Sequence, residues 1–509
     1  MSKLEAKFFK KILVLIFGLL VLANLFLASW YVLHNDIVFS ADIARDFFLF
    51  REIEEKKIIL IGPRSSVSGL FHGPLWLYLN YPAYLIGKGN PVIVGWYWIF
   101  LTFLFLITSF KIAERLFDRV TAYLYTLFLS NYAVFHTKGL FNPHGAFFLL
   151  PVFYFLLIRY IKTNKIYYLL SHLLVGGLLI QFQLAIGIPY VILSCLLIIY
   201  HALKNKNKAH LLALLLIPIC LANFIVFDLR HDFVLIKGVR FFLLAHEREQ
   251  QISYLAMAKD NIRLILTGAE ILRTNPFNTK LDLRLLITII FAIFIWLQVK
   301  NNIHKKKYWI FLYLYLGYFL LSFFNKGFIL YFYLHPQFSL VFLLFASLAT
   351  SNYKKIFIPL FLAIFALNFY TAINDTRSAK NFIGKHVESW KFLYNLSKEV
   401  YQQPEKTFGY FVYSPDAFGY QPKYAMTYMS SISDKQAFSF EKKPITYIIA
   451  APHPFMKDKW WRENQINIIG EPESTILFEN GYKIEKYQLN EEQIKIPFDP
   501  SINPEIHFR

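Results

Sequence analysis

The chain has 509 residues, 56% of them hydrophobic and 19% aromatic, and apolar runs of bilayer-spanning length recur from Ile12 to Tyr370, which excludes an ordinary soluble enzyme. A formal charge of +20 would suit a nucleic-acid-binding protein, but the Lys and Arg residues fall in short clusters between apolar runs rather than on one basic face. No nucleic-acid partner is implied, and Cys195 and Cys220, both inside apolar runs without a His or Cys at metal-ligand spacing, read as packing residues.

The first apolar run, Ile12 to Val32, is preceded by Lys3, Lys7, Lys10 and Lys11. At about 20 residues it exceeds the 7 to 15 of a cleavable signal core, so it reads as an uncleaved first span. Further spans are expected near 92–110, 120–136, 143–160, 166–182, 184–203, 211–227, 283–299, 308–323, 328–349 and 356–373. This set of eleven obeys the positive-inside rule with the amino terminus in the cytoplasm. It puts Lys111 to Arg119, Lys162 to Lys165, Lys204 to Lys208, Lys300 to Lys307 and Lys354 with Lys355 inside, and the carboxyl terminus outside. The run Pro74 to Gly87 would break the alternation and is too short to span, so it is expected to lie in or dip into the outer interface.

The expected fold is therefore mainly α, a polytopic helical membrane protein of about 11 spans over residues 1–373, with external segments 34–91 and 228–282. Residues 374–509 read as a separate external domain of α/β or α+β type. It begins with an amphipathic helix near Lys380 to Tyr401 and continues with strands at Thr407 to Tyr413, Ile445 to Ala450 and Ser474 to Leu489.

In the first external segment, Ser40 to Glu52 has the pattern of an amphipathic helix with Ser40 at its cap. At 100° per residue, Asp42, Arg45 and Asp46 share a narrow polar face, while Ile43, Phe47 and Phe50 form an apolar side able to lie on the membrane. A polar turn follows at Gly62, Pro63, Arg64, Ser65 and Ser66, and Gly69 to Pro74 returns the chain to the interface. Asp42 could act as a general base toward a hydroxyl, and Arg45 and Arg64 could hold phosphate through the guanidinium fork. The same spacing fits an ion-paired surface helix, Asp42 and Arg45 being three residues apart.

Other polar residues stand at expected outer ends of spans. Arg230, His231 and Asp232 follow the seventh span and could meet a phosphate or anchor the helix among headgroups. His144 and His335 each neighbour a Pro, with satisfied interfacial histidines as the alternative to a functional role. Gln181 and Gln183 suit helix packing or cavity lining. Trp460 and Trp461 could stack on a glycan or pack in a core.

Taken together, a first span followed by an external Asp-x-x-Arg-Asp helix, a Gly62-Pro63-Arg64 turn and the segment Phe71-His72-Gly73-Pro74-Leu75-Trp76-Leu77-Tyr78 resembles the GT-C membrane glycosyltransferases. The nearest group is similar to glycosyltransferase family 39, which includes protein O-mannosyltransferases and the aminoarabinose transferase of lipid A. Phe141-Asn142-Pro143-His144, Phe227-Asp228-Leu229-Arg230-His231-Asp232-Phe233 and Tyr331-Phe332-Tyr333-Leu334-His335-Pro336 extend the resemblance, as do Val412 to Pro415 and Phe478 to Tyr482 in the tail.

The resemblance implies an inverting enzyme that transfers a sugar from a polyprenyl-phosphate donor to a glycan, lipid or protein acceptor on the outer face of a prokaryotic cytoplasmic membrane. Asp42 takes the base role, with Asp46 beside it. Substrate and phosphate contacts fall to Arg45, Arg64, His72, His144, Arg230, His231, Tyr333 and His335. Family members often carry Glu-Lys-Pro-Pro where this chain has Phe71-His72-Gly73-Pro74, so His72 or Arg64 would replace a missing lysine. A divalent ion on Asp42 and His72 is conceivable from donor type alone. The rival classes are a transporter or lipid-linked sugar flippase, a ligase of whole glycans, and a non-catalytic scaffold.

Overall fold

The computed structural model describes residues 3–65, 67–244, 253–267, 271–273, 283–301, 305–325, 329–415, 418–453 and 458–503. Ser66 of the expected polar turn, most of 245–282 and part of the Lys300 to Lys307 cluster lie outside them. The chain is a mainly helical, polytopic membrane protein with a small sheet near its carboxyl end.

Each of the eleven expected spans overlaps helix among the described residues, but not all have the length or composition of a span. Among the described residues, six helices are long and apolar enough to cross a bilayer: Lys11–Ala28, Pro91–Leu116, Asn142–Thr163, Leu184–Lys204, Leu283–Lys300 and Lys354–Asn381. A seventh is obtained if Lys208–Cys220 and Ala222–Arg230, bent by 48° at their junction, form one broken span. The other expected spans fall short of that length or composition among the described residues. Arg119–His136 and Lys305–Ser322 carry too many polar or charged residues, and Ile166–Phe182 is short. His335–Ser347 has 13 residues, about 20 Å of helix against a hydrocarbon core of about 30 Å. Every residue of that helix is buried, so protein rather than lipid is its solvent.

The chain divides into two compact units. The first comprises Met1–Ser29, Ile58–Leu79 and Trp98–Thr376. Polar side chains staple its helices: Asn24 Nδ2 donates to Ser130 Oγ at 2.9 Å, Thr137 Oγ1 to the Ala28 carbonyl at 3.2 Å, and the Tyr125 and Tyr154 hydroxyls meet at 3.0 Å. In an apolar surrounding each such bond also removes the cost of an unmet polar group.

The second unit comprises Trp30–Lys57, Asn80–Tyr97 and Arg377–Arg509. Its five strands are β1 (Thr407–Tyr413), β2 (Gln436–Ser439), β3 (Ile445–Ala450), β4 (Ser474–Leu477) and β5 (Lys483–Gln488), ordered β2-β1-β3-β5-β4. β1 is parallel to β2 and β3, with the helix Tyr420–Ile432 making the crossover from β1 to β2, and β5 runs antiparallel to β3 and β4. The expected strand at Ser474 to Leu489 is thus a hairpin, turned at Gly481 with φ +88°. The expected amphipathic helix narrows to Trp390–Tyr401, where Ser389 caps the Phe392 amide.

Candidate functional site

In the second unit the helix Ala41–Lys56 carries the acid, base and cation expected of the site. Ser40 occupies its N-cap position in extended geometry without a side-chain capping bond. Arg45 lies between two carboxylates, 2.6 Å from Asp42 Oδ1 and 3.0 Å from Asp46 Oδ1. The three differ in exposure: the Asp42 side chain is 52% exposed, Arg45 15% and Asp46 3%. Burial opposes the guanidinium's charge, yet Asp46 and Asp42 together hold Arg45 above its ordinary range.

Two expectations are corrected here. The apolar side of this helix does not lie on lipid, because Phe47 and Phe48 pack edge-on against Tyr424, and Phe47 and Phe50 against Tyr84. Nor does Asp46 share a solvated face with Asp42, for its burial leaves Asp42 as the carboxylate open to a hydroxyl.

In the first unit, residues 62–65 pair back against residues 70–72. The Gly62 amide donates to the His72 carbonyl at 2.7 Å and the His72 amide to the Pro63 carbonyl at 2.8 Å, with Arg64 bridging Phe71. Arg64 is exposed and His72 is buried. Phe71 packs with Ile61 and Phe227, the residue that begins the Phe227 to Phe233 motif. Within that motif buried Asp228 accepts from the Leu235 amide at 2.6 Å and so caps the helix Val234–Leu244. His231 stacks on Phe227 at 4.1 Å and bonds its carbonyl through Nδ1 at 2.8 Å, while Arg230 is exposed. Gln181 ties two helices by donating to the Cys220 carbonyl and Asn223, in keeping with a packing role.

His144 and His335 are both buried and come together, with His144 Nε2 3.4 Å from His335 Nδ1. His136, which sequence reading passed over, joins them: one ring nitrogen from each lies within 4.8 Å of the others. Among the described residues this is the group whose donors could share a metal ion, and neither Asp42 nor His72 belongs to it. Nearby, the guanidinium of Arg273 stands 3.6 Å over the Phe135 ring in a pocket lined also by Asn131, Tyr132 and Asn368. Tyr333 is half-buried two residues before His335, its carbonyl accepting from the Tyr318 hydroxyl at 3.4 Å.

The chain, mainly helical and polytopic with a small mixed sheet, shares its fold with solved membrane proteins. The chain is similar to the structure of ArnT from Cupriavidus metallidurans in the apo state, with a TM-score of 0.59 and 10% identity over 94% of this chain and 98% of that one. It is also similar to the same protein bound to undecaprenyl phosphate, with a TM-score of 0.56 and 10% identity over 93% and 97%. The oligosaccharyltransferase of Archaeoglobus fulgidus, in complex with Zn and sulfate, gives a TM-score of 0.45 at 11% identity over 85% of this chain and 67% of that one. No family model matches the sequence, and no curated protein sequence matches it.

Proposed function

We propose that this protein is an inverting glycosyltransferase that moves a sugar from a polyprenyl-phosphate donor to an acceptor hydroxyl on the outer face of a cytoplasmic membrane. The observation that carries the reading is a fold shared along nearly the whole length of ArnT, a protein whose second structure holds undecaprenyl phosphate. Fold alone does not make an enzyme, so the chemistry is argued from the residues.

Asp42 is the base. Its half-exposed carboxylate can take the acceptor's proton while the acceptor oxygen bonds to the anomeric carbon from the side opposite the phosphate. The sugar–phosphate bond breaks, and the electron pair leaves with the lipid phosphate. Arg45 orients Asp42, and Asp46 positions Arg45. Arg64, His72, Arg230 and His231 are the proposed phosphate contacts, with Tyr333, His144 and His335 as further substrate contacts.

The flippase reading draws on one observation, the 48° break between Lys208–Cys220 and Ala222–Arg230, since broken helices are common in transporters. One experiment separates the two readings. Purified protein is incubated with labelled polyprenyl-phosphate sugars and a panel of acceptors, and wild type is compared with Asp42→Asn. Transfer by wild type and a loss of about 100-fold or more in the variant is expected. Equal rates would refute Asp42 as base, and donor left intact across the panel would refute the transferase.

A further inference from the structure

We infer that His136, His144 and His335 form a binding site for one divalent transition-metal ion of the zinc class. The three residues end or begin three helices: His136 closes Arg119–His136, His144 stands in the first turn of Asn142–Thr163, and His335 opens His335–Ser347. Their rings are mutually edge-on or tilted, with centroids 4.4 Å apart for His136 and His335, 5.1 Å for His144 and His335, and 6.0 Å for His136 and His144. No pair among them is stacked face to face, and one ring nitrogen from each lies within 4.8 Å of the others.

The distances suit the ion. Zinc bonds of about 2.1 Å in tetrahedral geometry set ligand nitrogens about 3.4 Å apart. The His144–His335 pair already stands at that separation, and the third nitrogen, within 4.8 Å, closes by small ring movements. The Nε2 atom of His136 is buried and has no hydrogen-bond partner, a cost that a metal bond would relieve. His144 Nδ1 lies 3.2 Å from the Phe141 amide nitrogen and 3.3 Å from the Phe141 carbonyl; the tautomer that donates to the carbonyl is the one that leaves Nε2 free for a metal.

An anion is the weaker occupant. Three imidazoles this close cannot all carry charge in an aromatic surrounding, and neutral rings offer lone pairs, which bind cations. Arg273 lies near enough to act electrostatically on His136 and His335, while the charge of Lys138 is matched by Asp375 at 3.0 Å. A three-histidine set leaves a fourth position open, and the adjoining pocket with Arg273, Asn131 and Asn368 would favour an anionic or neutral oxygen there. His172 is the contrasting case, a buried histidine whose Nδ1 donates to the Phe153 carbonyl at 2.9 Å and which stands outside any such group among the described residues.

The test uses full-length protein in detergent, stripped with chelator and titrated with Co²⁺, then Zn²⁺. One equivalent of Co²⁺ should bind, with the visible absorption of a low-coordinate site carrying nitrogen ligands, and Zn²⁺ should displace it. His144→Gln and His335→Gln should each weaken binding by at least about 100-fold, since even outer-shell partners are worth about 10- to 100-fold, whereas His172→Gln should bind as wild type does. Wild-type protein that takes up no Co²⁺ at one equivalent, or gives only the spectrum of hydrated ion, overturns the site even if the variants fail to fold. The titration does not depend on sugar transfer, so its outcome is independent of the transferase reading.

Discussion

Asp36 and Ser389 stand 353 residues apart, yet the Ser389 hydroxyl donates to Asp36 Oδ2 at 2.6 Å in the interior of the second unit. The same carboxylate accepts from the amides of Ile37, Gly384 and Lys391, so one buried group joins the entry to the Asp42 helix with the cap of Trp390–Tyr401. Burial pushes the Asp36 carboxyl above the usual range, against the lowering effect of its four donors. Replacing it by Ala would strand those donors, each a loss of about 1–3 kcal/mol where water cannot follow. Asp36→Ala should lower the melting temperature of the purified protein clearly more than Asp36→Asn, which keeps one acceptor. Equal melting of both variants with wild type would show that the junction contributes nothing.

Arg45 distinguishes a structural ion pair from a functional one. Removing its charge leaves Asp46 buried without its cation, a kind of change that typically costs about 3–5 kcal/mol. Removing Asp42 breaks only a half-exposed pair, worth about 1 kcal/mol or less. Arg45→Met is therefore expected to be strongly destabilised, with stability partly restored in Arg45→Met combined with Asp46→Leu, while Asp42→Asn melts close to wild type. A large loss of stability in Asp42→Asn would make its carboxylate a structural group.

Local periodicity made the helix at Ala41–Lys56 and the pairing of Asp42 with Arg45 legible, because both rest on residues three or four apart. It could not show that Asp46 is buried, since the surface covering that helix comes from Tyr424 and Tyr84, far along the chain. The histidine group was half legible for the same reason: His144 and His335 each stood out beside a Pro, but 191 residues separate them. The signal for His136 was present in its closeness to His144, eight positions on, and went unread because it ends a helix rather than opening one. Apolarity located the helical runs but could not tell which face lipid, since a helix wrapped in protein, as His335–Ser347 is, is as apolar as one facing lipid. Strand β2, four residues at a sheet edge, was too short for alternation to register.

Lys442 supplies a pH dependence. It is buried, and its Nζ donates to the carbonyls of Asn467, Gln493 and Ile496 at 3.2, 3.2 and 2.9 Å. Burial pushes its ammonium down to about 8 from the ordinary 10.5. Between those values the folded state binds fewer protons than the unfolded one, so stability rises with pH across the window. Melting temperatures followed from pH 7.5 to 10 should therefore carry an upward contribution in wild type that Lys442→Met lacks. Parallel curves for the two proteins would refute it.

Gly73 marks the place where the segment after Gly62 meets the helix Ile166–Phe182. A Cβ there would fall within the Gln181 side chain and 2.8 Å from its Cα, so rotating the amide away cannot relieve the overlap. Gln181 is also committed, through its amide, to the Cys220 carbonyl and to Asn223, which in turn donates to the Leu60 carbonyl at 2.7 Å. Gly73→Ala must then shift backbone and break that chain of bonds, for a loss on the order of 2–3 kcal/mol. Shrinking the obstacle should help: Gln181→Ala alone loses the bonds, but combined with Gly73→Ala it removes part of the overlap, so the double variant should be less destabilised than the two single losses added together. Strictly additive shifts in melting temperature would mean that Gly73 and Gln181 do not press on each other.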